Sequence, residues 1–235
     1  MSNKRPHTVL DTNGYQLSAP LLPNGKWPPR LQIRAQAKAY KGYISDSYFE
    51  LIARTGIEND KNNGNVIAEV EPQTLHAILN KLEDYARGTV TEERMAFSNY
   101  NFVFGRDKKR SDTQRLASRV VIGVKDGTIN IAVIDSLDDS RPKISFPFGY
   151  DVRPRGRYSL LLSTGGKEDR AESSRTATMA FVAAVRSSLE SEMHLAQIRA
   201  LEKLENSDGG GNNNNAGRYS ESSTGASDPD ADLPF

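Results

Sequence analysis

The chain has 235 residues, 37% of them hydrophobic and 26% charged, with no cysteine and a formal net charge of +1. That length accommodates one sizeable domain or two small ones. The missing thiols exclude disulfides, thiolate metal sites and cysteine nucleophiles together, and no apolar run approaches the roughly 18 residues a membrane helix needs.

The first residues, Met1-Ser2-Asn3-Lys4-Arg5-Pro6, lack the apolar stretch of a secretory signal, so the expected setting is cytoplasmic. The small net charge conceals an asymmetry. From Ser207 onward one base, Arg218, faces five acids, which leaves 30 bases and 25 acids in residues 1–206. A modestly basic body with an acidic tail suits an anion-binding module, although charge balancing for solubility gives the same pattern.

In chain order, residues 1–29 are rich in Pro, Asn and Gly and predict an extended arm. Trp27, the only tryptophan, either packs on the domain edge or offers a ring for base stacking. Residues 30–43 alternate as a strand. Leu31, Ile33, Ala35, Ala37 and Ala39 take one face; Arg30, Gln32, Arg34, Gln36, Lys38 and Tyr40 take the other. No acid interrupts the second face, which suits a track for a phosphodiester backbone; a solvated sheet face is the alternative.

A second strand is predicted at 47–54, a polar turn at 58–65 and a short strand at 66–70. Pro72, then Leu75, Ile78, Leu79, Leu82 and Tyr85 at helical spacing, and Gly88 beyond, predict a helix over 72–87. Tyr100, Phe102 and Phe104 are predicted to share a strand face that runs into Arg106, Lys108, Lys109 and Arg110, with Arg115 and Arg119 beyond. Rings stack bases and cations hold phosphates in single-strand binders; the same rings would also fill a core. Strands at 115–125 and 128–136 are joined by a Lys125-Asp126-Gly127 hairpin turn. Ile144, Phe146 and Phe148 mark another strand, with Pro147 arguing for an edge or an end. Arg153, Arg155 and Arg157 alternate on an extended run as a second basic edge, before a strand at 158–163. A last helix, about 174–206, carries an apolar stripe from Phe181 to Leu204. Its length predicts a buttress across the body or pairing with a second subunit as a homo-oligomer.

Signals for catalysis are weak. His7, His76 and His194 are scattered, and no metal-binding or nucleophile motif is present. Ser163-Thr164-Gly165-Gly166-Lys167 lacks the spaced glycines of a phosphate loop. No enzyme, cofactor or metal is expected.

The chain ends Asp228-Pro229-Asp230-Ala231-Asp232-Leu233-Pro234-Phe235, after a Gly/Asn-rich stretch at 209–215 that predicts a flexible tether. This end resembles the tip of bacterial single-stranded-DNA-binding proteins at Asp228, Asp230, Asp232, Leu233, Pro234 and Phe235. In that family the tip docks replication and repair proteins, and several phage single-strand binders also end in acids and a terminal Phe. The resemblance covers only the tail, since residues 1–206 do not match the bacterial family's core. It implies a phage-type binder of single-stranded DNA that serves DNA replication, recombination or transcription regulation. A polymerase, helicase or nuclease would dock on the tip. In phages related to coliphage N4 the equivalent partner is an RNA polymerase. The alternative is an interaction protein that mimics the tip to occupy a host's partner pockets.

The expected architecture is α+β and mainly antiparallel, because the connections between strands are short. Two sheet-plus-helix units are similar in element order to the Whirly single-strand binders; an OB-type barrel with added helices is the alternative. The expected division is an arm at 1–29, a DNA-binding body at 30–206 and a disordered tail at 207–235.

Overall fold

A computed structural model describes residues 9–11, 15–103, 109–149 and 169–207. Among them the order is four strands, a helix, four strands and a long helix, so the fold is α+β with two antiparallel four-stranded sheets. The first sheet comprises β1 (Leu17–Ser18), β2 (Arg30–Tyr40), β3 (Tyr43–Arg54) and β4 (Asn65–Val70), in sequence order. Helix α1 (Pro72–Arg87) follows. The second sheet comprises β5 (Arg94–Asn101), β6 (Arg115–Lys125), β7 (Thr128–Asp135) and β8 (Ile144–Pro147), again in sequence order, and α2 (Arg170–Ser207) closes the described fold. Two separate meanders replace the alternative of a single OB-type barrel.

Local chemistry explains the elements. α1 begins on Pro72, whose missing N–H costs nothing in a first turn. It ends at Gly88, whose φ of 71° is a left-handed cap that a side chain disfavours. Leu75, Ile78, Leu79 and Leu82 are all buried from its inner face. The β6–β7 turn is built by Asp126 and Gly127, both at positive φ, the two-residue geometry that suits strand twist. Pro147 sits on β8, an edge strand, where a missing N–H is tolerated.

The predicted arm is corrected. Leu10, Leu17 and Ala19 are buried, β1 pairs with β2, and Lys26 and Trp27 both donate backbone N–H groups to the Gly56 carbonyl. Residues 15–29 are therefore part of the first sheet's edge. Gly56 is required there: its φ is +72°, and a Cβ would come within 1.9 Å of the Trp27 carbonyl oxygen.

One continuous core joins both sheets and both helices. It runs from Leu31, Ile33 and Phe49 on the first sheet to Val120, Ile131 and Phe146 on the second, and to Val182, Val185 and Leu189 of α2. α2 starts four residues earlier than predicted because Asp169 caps it, its carboxylate accepting from the Ala171 and Glu172 N–H groups at 2.7 and 3.1 Å. Ser174 fixes the helix to β7 by accepting from Ile129 N–H at 2.9 Å, and Arg186 reaches Glu83 and Asn80 of α1 at 2.5 Å each. No helix among the described residues is long and apolar enough to cross a membrane.

A charged clasp ties the loop before β4 to the loop after β7. Arg141, 6% exposed, donates to Asp60 at 2.9 Å and to the Lys61 and Asn65 carbonyls at 2.6 and 3.0 Å. Lys61 returns the contact to Asp138 at 2.6 Å.

Candidate nucleic-acid interface

β2 divides its side chains as predicted: Leu31, Ile33 and Ala35 are buried inward, and Arg30, Gln32, Arg34, Gln36, Lys38 and Tyr40 share the outer face. The face is acid-free only along that one strand. β3 places Glu50 opposite Arg34 and Asp46 opposite Lys38, and β4 adds Glu69 opposite Glu50. The Arg34 guanidinium lies 4.0 Å from Glu50, Lys38 lies 3.2 Å from Asp46, and Gln36 donates to Glu50 at 2.9 Å. Burial pushes the Glu69 carboxyl up, against the pull of Lys38. Arg30 donates to Gln16 at 3.5 Å and has Arg54 directly across from it. The built face therefore holds four cations (Arg30, Arg34, Lys38, Arg54) against three carboxylates.

The predicted strand of three aromatics is corrected. β5 starts earlier, at Arg94, and ends at Asn101, whose side chain accepts from Phe102 N–H at 2.8 Å. Tyr100 lies on the strand, 57% exposed, while Phe102 lies beyond it, so the two do not alternate along one strand face. Phe102 is covered by Arg110, whose guanidinium carbon stands 3.5 Å from the ring centroid. Phe104, Arg106 and Lys108 lie outside the described residues, as do Arg153, Arg155 and Arg157 and the predicted strand at 158–163. The docking residues Asp228, Asp230, Asp232, Leu233, Pro234 and Phe235 also lie outside them.

Among the described residues, the outward register positions of the second sheet carry no acid. β5 alternates Met95 and Phe97 toward the core with Arg94, Ala96, Ser98 and Tyr100 outward, and the four outward residues are exposed. Register places Arg119, Val121 and Gly123 of β6 beside them, then Ile134, Ala132 and Asn130 of β7, and Ser145 and Pro147 of β8. No Asp or Glu occurs among these residues. Val121, Ala132 and Ile134 form a small buried cluster at the centre. The exposed portion is the β5 edge, where Ala96 and Ser98 lie between Arg94 and Tyr100. Arg115, exposed at the start of β6, pairs with Asn101, and exposed Lys109 and Arg110 lie at the same end of the sheet.

Sequence reasoning identifies Tyr100, Arg115 and Arg119 but passes over Arg94, because residues 89–97 show no clear period. It also passes over Tyr43 and Lys41, since residues 30–43 alternate as if they formed one strand. The dipeptide Lys41-Gly42 between two tyrosines is the available turn signal. Trp27 is 55% exposed, with Lys26 Nζ 4.9 Å from its ring centroid, while its backbone N–H is held by the Gly56 carbonyl. Among the described residues no cluster of three or more His, Asp or Glu side chains is placed to hold a metal ion. No protein-family model, curated protein or solved structure matches this chain.

Proposed function

We propose that the chain binds single-stranded DNA without sequence preference and recruits replication, recombination or transcription proteins through its acidic C-terminal tip. The observation that supports the binding half is the β5 edge of the second sheet, whose register positions carry no acid among the described residues from Arg94 to Tyr100 and their β6 partners. Tyr100 stands exposed there on the same face as Arg94 and Arg119, with Lys109, Arg110 and Arg115 at its end. An exposed ring offers a π-face to any base, and flanking guanidinium groups take phosphates without reading sequence. The alternation of four strands and a helix, twice over, is also the element order of Whirly single-strand binders, which supports the reading by analogy of fold alone. The recruitment half rests on the tip's resemblance at Asp228 to Phe235.

The test is a titration of fluorescent oligo-dT at about 50 and about 200 mM salt, with double-stranded competitor. Micromolar or tighter binding that falls steeply with salt is expected. Absence of binding at the lower salt overturns the proposal and favours a protein that only occupies partner pockets.

A further inference from the structure

The β2–β3 hairpin outruns its sheet. β4 stops pairing with β3 at Phe49↔Val70, so residues 36–40 and 43–48 continue as a two-stranded ribbon. Its turn, Lys41-Gly42, has both residues at positive φ, 50° and 83°. A bare ribbon is marginal in water, but this one is braced. Ala35 and Ala37 face the core side on which α2 lies, and Gln197 of α2 donates to Ser47 at 3.3 Å. The opposite face carries three tyrosines. Tyr40 and Tyr43 are 54% and 56% exposed and meet edge to face with centroids 6.3 Å apart. Lys41 Nζ stands 5.2 Å from the Tyr40 ring, and Lys38 Nζ stands 4.6 Å from the Tyr48 ring. Rings left in water at a tip add little to the fold by burial.

We infer that this ribbon tip is a second nucleobase-stacking site, remote from the β5 edge, so that one protomer holds two separate segments of unpaired nucleic acid. The inference rests on the DNA-binding reading above. Its chemistry is that of a single-strand contact: exposed rings for bases, with Lys38 and Lys41 beside them for phosphates. The one acid on the ribbon, Asp46, is already engaged by Lys38.

α2 marks the distance from the β6–β7 turn to the ribbon. Ala171 lies against Gly127 at the β6–β7 turn, and Gln197 lies at the ribbon. The 26 residue steps from Ala171 to Gln197 span about 39 Å at 1.5 Å each. Arg94, the near end of the β5 edge, pairs with Gly123 close to that turn. On this inference a short oligonucleotide occupies one site or the other. A long one reaches both, and its second contact becomes intramolecular, with avidity gains of about 10²–10⁴-fold.

The test uses the full chain, a Tyr40→Ala/Tyr43→Ala double variant and a Tyr100→Ala variant, each titrated with oligo-dT of about 8 and about 60 nucleotides at low salt. The expected result is two short oligonucleotides per wild-type protomer and one per protomer of the double variant. Affinity of the double variant for the long probe should fall at least tenfold. A Tyr40→Phe/Tyr43→Phe control keeps the rings and should bind as wild type, with thermal melts showing that all variants fold. One short oligonucleotide per wild-type protomer, abolished by Tyr100→Ala and untouched by the tip variant, overturns the second site while the DNA-binding reading stands. Failure of the wild type to bind either probe overturns both. A tip variant that changes the sedimentation coefficient and leaves both titrations unchanged makes the tip a protein contact and also overturns the inference.

Discussion

Arg34 and Glu50 stand directly opposite each other on β2 and β3, their charged groups 4.0 Å apart on the outer face of the first sheet. Glu50 thereby cancels part of the positive potential that β2 alone would present. Glu50→Gln keeps a hydrogen-bonding partner for Gln36 while removing the charge. It should tighten single-strand binding roughly two- to threefold and steepen the salt slope by about 0.7, the value of one released counterion on a single strand. Affinity measured across a salt series checks this; an unchanged slope means the strand does not cross this face.

The cationic segment after β5 should act in the opposite sense. Replacing Lys108, Lys109 and Arg110 together by Ala is expected to weaken binding and flatten the salt slope by about 0.7 for each phosphate that is no longer neutralised. Removing Arg110 also uncovers the Phe102 ring. Binding indistinguishable from wild type would take the segment out of the site.

Deleting residues 228–235 removes three side-chain carboxylates and, on the proposed function, should leave oligonucleotide affinity unchanged or slightly tighter. Pull-down of the replication or transcription partner should be lost. A large drop in DNA affinity would instead give the tail a role in the body.

Arg141→Ala tests the clasp between the two sheets. The side chain is buried and holds Asp60 together with two backbone carbonyls, so its loss leaves a carboxylate and two acceptors underpaired. A loss of about 3–5 kcal/mol in urea unfolding is expected. Arg141→Lys should recover little of it, because an ammonium lacks the fork that reaches three acceptors.

Acid titration should separate two neighbouring carboxylates. The hydrogen bond from Lys61, then that from Ser140, holds Asp138 below its ordinary value of 3.8, whereas burial pushes Asp135 above it. The stabilisation from Asp138 is present above 3.8 and is lost as pH falls through its lower folded pKa. Asp135 acts in reverse: the fold favours its protonated form, so stability rises as pH falls through its raised pKa toward 3.8. Thermal melts against pH should show Asp138→Asn removing the acid-limb loss and Asp135→Asn removing the gain above it.

The helices and the strand faces were legible because each is a one-dimensional pattern. Leu75, Ile78, Leu79 and Leu82 repeat along α1 between a proline start and a glycine stop, and β2 alternates without interruption. What escaped was set by neighbours distant in sequence. No period within 30–40 reveals that Asp46 and Glu50 will face Lys38 and Arg34; only register does. The β5 surface was hidden for the same reason, since its lack of acid is a property of four strands together. Leu17 was missed because its burial depends on pairing with Leu31, not on the proline-rich segment around it. The Tyr100-Phe102-Phe104 alternation misled because Asn101 ends the strand by capping its own successor.

The alanines of β2 have a mechanical consequence. Because Ala35 and Ala37 are too small to hold the helix off, α2 lies close along the ribbon and is fixed to β7 through Ser174 at its other end. α2 thus sets the spacing between the ribbon and the second sheet through one contact at each end, Ser174 to Ile129 and Gln197 to Ser47.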